Sequence, residues 1–140
     1  MSILTPRLAD ATVLDLFAGS GALGLEALSR GARHATFVEL APRSLDALRK
    51  NIAMLGLEAQ TTVHRGDALR WVAQAPRDFA VAFADPPYGT GQAAALAGVF
   101  RSRPFATVLG IEHEPKEILD GSDTRRWGGV AVTFLEAEDV

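Results

Sequence analysis

Apolar residues along the 140-residue chain fall into short continuous runs separated by stretches with three-to-four spacing. Thr12 to Phe17 is apolar except for Asp15 and predicts a short buried strand that runs into a glycine-rich turn. From Gly21 to Arg30, Ala22, Leu23, Leu25, Ala27 and Leu28 recur at helical spacing until Gly31 stops the pattern. Ala35 to Glu39 predicts a second strand. Pro42 stands where a helix opens, and Leu45, Leu48, Ile52 and Leu55 repeat up to Gly56. Ala59 to His64 predicts a third strand, Asp67 to Ala73 a short helix, and Phe79 to Ala84 a fourth strand. A helix is expected from Gln92 to about Arg103, and a fifth strand from Ala106 to Glu112.

The end of the chain reads differently. Arg125 to Trp127 and Val130 to Glu136 are extended runs joined by Gly128-Gly129, the signature of a hairpin. Strands alternating with helices predict an α/β fold: a seven-stranded, mostly parallel sheet with helices on both faces and a C-terminal antiparallel hairpin. No repeat, low-complexity tract or linker interrupts residues 1–140, so one domain is expected. Every predicted strand follows Ala11, and the core is expected to need no earlier residue.

Composition narrows the classes. The chain has no cysteine, which excludes a disulfide framework, thiolate catalysis and the usual structural zinc sites. It lacks an apolar run of about 18 residues and any charged N-terminal segment leading into an apolar one, so neither membrane insertion nor secretion is expected. A cytoplasmic protein is the expectation. The net charge of −3 argues mildly against a large nucleic-acid footprint. Twelve of the fourteen cationic residues are Arg, which suits bidentate phosphate contacts, although the base composition of the gene explains the bias more simply.

Candidate chemistry begins at the first turn. Gly19-x-Gly21-x-x-Gly24 lies directly between a predicted strand and a predicted helix, where a nucleotide loop belongs. Glycines there let the chain turn tightly and let a ligand approach the backbone. Glu39, at the end of the next strand, can accept both ribose hydroxyls; otherwise it is a solvated strand-end carboxylate. Dinucleotides and S-adenosylmethionine both suit this arrangement. Asp15 separates them, because a carboxylate among apolar neighbours needs a cationic or donating partner. A pyrophosphate would be repelled there, whereas an ammonium and a sulfonium would be favoured; alternatively Asp15 caps the following loop. Asp67, in Gly66-Asp67-Ala68 after the third strand, can accept from an adenine amino group or cap the next helix.

The sharpest signal is Asp85-Pro86-Pro87-Tyr88-Gly89, immediately after the fourth strand. Two prolines stiffen the turn and remove two donors, leaving carbonyl acceptors. Asp85 and the Pro86 carbonyl can accept the two hydrogens of an exocyclic amine, and Tyr88 can stack on its ring. Acceptors that draw the amine toward tetrahedral geometry free its lone pair for attack on a methyl group, and positioning supplies much of the rate. A plain structural turn is the bland alternative.

Together these residues resemble the class I S-adenosylmethionine-dependent methyltransferases, and among them the bacterial RsmD-type enzymes that methylate a guanine N2 amino group in 16S ribosomal RNA. The match is carried by Asp15 to Ala32, Phe37-Val38-Glu39, Asn51, Gly66-Asp67-Ala68 and Asp85-Pro86-Pro87-Tyr88. The resemblance implies a Rossmann-like fold with a final antiparallel strand. It implies a cofactor site of Asp15, Phe17, Gly19, Ser20, Gly21, Gly24, Glu39, Leu40, Asp67, Ala68 and Asp85, and a catalytic turn of Asp85, Pro86, Pro87 and Tyr88. S-adenosylmethionine is the implied cofactor, with S-adenosylhomocysteine as product; no metal is implied. The implied partner is 16S ribosomal RNA or the assembled small subunit, and the oligomeric state stays open. The catalytic turn is shared with adenine-N6 methyltransferases, which leaves that activity as an alternative. Family members carry a basic segment before the first strand, of which Met1 to Leu4 reads as a remnant. That shortening makes a cofactor-binding protein without catalysis a further alternative, while a dinucleotide oxidoreductase ranks last because nothing after Glu39 supplies hydride chemistry.

Overall fold

The computed structural model describes residues 5–121 and 123–139; Met1 to Leu4 lie outside them. A short helix α1 (Thr5–Leu8) leads into strand β1 (Thr12–Leu16). Helix α2 (Ala22–Ser29), β2 (His34–Glu39), α3 (Pro42–Leu55) and β3 (Thr61–Arg65) follow, then α4 (Ala68–Ala73), β4 (Phe79–Ala84), α5 (Gln92–Ser102) and β5 (Ala106–His113). The chain returns through β6 (Asp123–Trp127) and β7 (Val130–Glu136). The seven strands form one sheet in the order β3-β2-β1-β4-β5-β7-β6. Pairing is parallel from β3 to β5, and β7 runs antiparallel to both β5 and β6. Among the described residues no helix is long and apolar enough to cross a membrane.

The period-two alternation of buried strands sorts the core into two layers. Leu14, Leu16, Ala82 and Ala84 point to one face and pack on Leu96 and Phe100 of α5 and Val72 of α4. Val13, Phe37, Val81 and Phe83 point to the other, against Leu25 and Leu28 of α2 and Leu48 and Ile52 of α3. Position 15 therefore belongs to the face under α2, which puts Asp15 beneath the glycine turn.

Several boundaries differ from the sequence expectation. Glu58–Gln60 forms a 3-10 turn, so the third strand starts at Thr61 and not at Ala59. The first strand stops at Leu16 because Phe17 takes φ +56°, outside the extended region. The expectation that nothing before Ala11 serves the core is corrected by Leu8, which is fully buried in the α2 and α3 layer. Its one-turn helix is too short to announce itself by periodicity, and the Asp10 N–H secures it by donating to the Gly31 carbonyl at 2.8 Å.

Candidate active site

The parallel strands β1, β2 and β4 end together, and the turns that follow them build the site. After β1 the chain leaves the extended conformation at Phe17, and Gly21 turns back at φ +86° to open α2. A Cβ on Gly24 would collide with the Phe37 ring, so only glycine lets α2 settle this closely on β2. The Gly24 N–H donates to Asp15 Oδ2 at 3.0 Å. Asp15 is thus the anchor of the helix start, the loop-capping role among its two readings, and it is 2% exposed. Burial pushes its carboxyl up to about 8; the Gly24 N–H opposes that shift, and the charges of Asp85 and Glu39 add to it.

Glu39 ties this loop to the end of β2. Its Oε1 accepts from the Gly19 N–H at 2.7 Å, and its Oε2 accepts from the N–H groups of Leu40 and Ala41, each at 2.8 Å. Across the loop, the Asn51 side chain of α3 donates to the Ser20 carbonyl at 3.0 Å. Asp67 caps α4, with Oδ2 accepting from the Arg70 N–H at 3.0 Å. The capping reading of Asp67 is therefore realised, and its second oxygen is not engaged by that bond.

A cavity of about 370 Å³ opens between these turns, lined by Phe17, Glu39, Leu40, Asp67 and Ala68, with Pro87 and Gln92 closing its far side. Five of the expected cofactor residues and one of the catalytic turn meet there. The cavity joins an apolar ring, two carboxylates and backbone at strand ends, which fits an adenosine-sized group with a ribose at Glu39. Gly19 and Ser20 form the neighbouring loop, while Gly21, Gly24 and Asp15 lie beneath it as its support.

Beyond Pro87 stands the turn after β4. Pro86 is buried, Asp85 and Tyr88 are exposed, and the Thr90 hydroxyl donates to the Pro87 carbonyl at 2.8 Å, which closes the turn. Parallel pairing of Ala84 with Ile111 sets Asp85 beside Glu112, one residue past that pair. Partial burial first, and then Asp85, pushes Glu112 up to about 7. Desolvation and the charges of Glu112, Asp85 and Glu114 hold the Tyr88 hydroxyl above the ordinary phenol value.

Two residues escaped the sequence reading. Glu112 looked like the end of an ordinary strand, and only its parallel partner reveals it. Gln92 could have been noticed as the first residue of α5 after the proline turn.

A family model described as conserved hypothetical protein 95 matches residues 1–117. Ribosomal RNA small subunit methyltransferase D of Escherichia coli K12 is 43% identical over 88 residues, which make up 63% of this chain and 44% of that protein. The match thus spans less than half the length of that relative. A hypothetical protein of known structure from Thermus thermophilus is 32% identical, with a TM-score of 0.83 over 96% of this chain and 81% of that one. An RNA methyltransferase from Salinibacter ruber, solved in complex with S-adenosyl-L-homocysteine, shares the fold at 15% identity, with a TM-score of 0.72 over 98% of this chain and 92% of that one. With most of its length matched, the chain belongs to the family described as conserved hypothetical protein 95.

Proposed function

We propose that the chain is the catalytic part of an S-adenosylmethionine-dependent methyltransferase acting on the N2 amino group of a guanine in 16S ribosomal RNA. One observation carries the reading: the Asp85-Pro86-Pro87-Tyr88 turn borders the same cavity that Glu39, Phe17 and Asp67 line. The similarity to a ribosomal RNA methyltransferase and to an RNA methyltransferase of the same fold supports it.

S-adenosylmethionine supplies a methyl group on a sulfonium, a good leaving group that needs no activation by the protein. Glu39 holds the ribose, and Leu40 and Phe17 flank the adenine while Asp67 accepts from its amino group. Asp85 and the Pro86 carbonyl hold the target amine by its hydrogens, which aims the nitrogen lone pair, and Tyr88 stacks on the base. The reaction is driven by alignment of two bound groups. Asp85 is the catalytic acceptor.

Two measurements decide the matter. Calorimetry should show S-adenosylhomocysteine binding that is lost or greatly weakened in Glu39→Ala, with no competition from NAD. Methyl transfer to small ribosomal subunits lacking the modification, followed by digestion to nucleosides, should yield N2-methylguanosine. A product of N6-methyladenosine would establish the adenine alternative, and cofactor binding without any product would leave a binding protein.

A further inference from the structure

We infer that the β6–β7 hairpin is a second contact for the RNA substrate, with Trp127 stacking on an unpaired base that flanks the target and Arg125 and Arg126 holding the adjoining phosphates. The inference rests on the RNA reading given above and carries it to a surface beyond the proline turn. Its basis is the open indole at the end of β6. Trp127 is 53% exposed, and among the described residues it makes no ring contact. The other tryptophan, Trp71, is packed instead, 5.2 Å from the His64 ring and 6.1 Å from Phe79. Charged residues along an edge strand ordinarily keep it from pairing with another chain, which accounts for the two arginines. It does not account for an exposed indole beside them.

The sheet topology puts this residue at the edge where the target base would arrive. β5 and β6 both pair antiparallel to β7 and so run the same way. The tip of the hairpin therefore lies at the strand ends from which the Asp85 turn also rises. Arg125 pairs with Val132, and Val132 with Glu112, one residue past the Ala84–Ile111 pair. The start of the turn and Arg125 thus stand in one row across β4, β5, β7 and β6. Three strand spacings make about 14 Å, within reach of the nucleotides next to a base held at the turn. Trp127 lies two residues further out along its strand. Tyr88 on the turn is 45% exposed, so aromatic surface is open at both ends of the path.

Each hairpin group suits one part of a nucleotide. Arg125 Nε donates to Asp123 Oδ2 at 2.9 Å, which orients the guanidinium and leaves its terminal nitrogens for a phosphate. Alternation along β6 puts Asp123, Arg125 and Trp127 on one face and Arg126 on the other. Arg126 is exposed, and among the described residues it makes no ion pair. An indole face accepts any base, so the contact adds affinity without reading sequence. Between the turn and the hairpin, the end of β5 carries Glu112 and is followed by Glu114, and Lys116 there is paired with Glu114 at 3.6 Å. Those carboxylates repel phosphate, which leaves the hairpin arginines to hold the backbone on that side.

The test has two arms. In the first, a short single-stranded RNA of mixed sequence is titrated into the chain at low salt. It should quench tryptophan emission, and Trp127→Phe should lose most of that quench while keeping most of the affinity, because phenylalanine still stacks. Trp127→Ala should weaken binding about 10-fold, the order of one lost base–aromatic stack, without lowering the melting temperature. The double variant Arg125→Gln/Arg126→Gln should reduce the slope of log affinity against log salt by at least about 1. In the second arm, methyl transfer to small subunits lacking the modification is measured. Trp127→Ala should raise the KM for the subunits about 10-fold, with the Kd for S-adenosylhomocysteine unchanged. Parent RNA affinity and parent KM in Trp127→Ala would overturn the proposal, even where the parent yields N2-methylguanosine. So would a dimeric parent that Trp127→Ala renders monomeric with no change in RNA binding, which would assign the tip to a second copy of the chain. If the parent transfers no methyl group while the quench and the Trp127→Ala loss persist, the RNA surface stands and the reaction proposed above falls.

Discussion

Carboxylates set the character of this site, and each has its own surroundings. Asp85 is the exposed one at the proposed catalytic turn. Asp85→Ala should reduce methyl transfer on the order of 100-fold or more while leaving cofactor affinity nearly unchanged, since the residue addresses the amine. Asn should be milder than Ala because its carbonyl still accepts. Parallel rate and calorimetric measurements check both statements. Asp15 is the opposite case, sealed under the glycine loop with its carboxyl pushed up to about 8. The folded state holds that proton where the unfolded chain, with an ordinary value of 3.8, has lost it. Its contribution to stability is thus complete below 3.8 and is lost as pH rises toward about 8. Asp15→Asn keeps an acceptor for Gly24 without a titrating proton. The melting temperature of that variant should fall less than the parent's across the same window, and equal slopes would refute the buried protonated state. Asp15 also shows the limit of reading residues in sequence. A carboxylate among apolar neighbours demanded a partner, but the pattern could not say whether a ligand or the Gly24 N–H supplied it.

At the scale of elements, the central strands were legible because each is buried on both faces and reads as a continuous apolar run, while the exposed β6 was announced by the Gly128-Gly129 turn. It failed where an element is short or marginal. Residues Glu58–Gln60 lack any distinguishing pattern before β3, and the single turn Thr5–Leu8 is too short for its buried Leu8 to form a pattern. That one residue matters. Leu8 packs in the layer formed with Leu25, Leu28 and Ile52, so Leu8→Ala should destabilise the protein by about 2–5 kcal/mol, as for other buried leucines. The denaturation midpoint reports it, and a shift matching that of an exposed site such as Met54→Ala would show that α1 contributes nothing to the core. Glu112 was missed for a related reason. Its chemistry arises from the parallel neighbour strand, and strand adjacency between β4 and β5 is a tertiary fact that no local pattern contains.

For the whole molecule, the order β3-β2-β1-β4-β5-β7-β6 places the two loops of the proposed cofactor cavity on opposite sides of β1. The Glu39 turn follows β2 on one side, and the Pro87 turn follows β4 on the other. A ligand in the cavity therefore bridges both halves of the sheet, and both core layers run beneath it, Leu16 and Ala84 on one face and Phe37 and Phe83 on the other. Binding should accordingly stabilise the entire fold and not a single loop. S-adenosylhomocysteine at 100 times its Kd should add about 2.7 kcal/mol to the unfolding free energy. For a chain of this size that corresponds to a rise in melting temperature of roughly 5–10 °C. Far-ultraviolet and tryptophan signals should move together, because Trp71 of α4 packs on Phe79 of β4 and so reports on the same sheet. Glu39→Ala should lose most of the rise, because it removes the proposed ribose contact, the Gly19 bond that joins the loop to β2 and the two bonds that fix the turn after β2. An unchanged melting temperature at saturating S-adenosylhomocysteine would mean that the cavity holds something else.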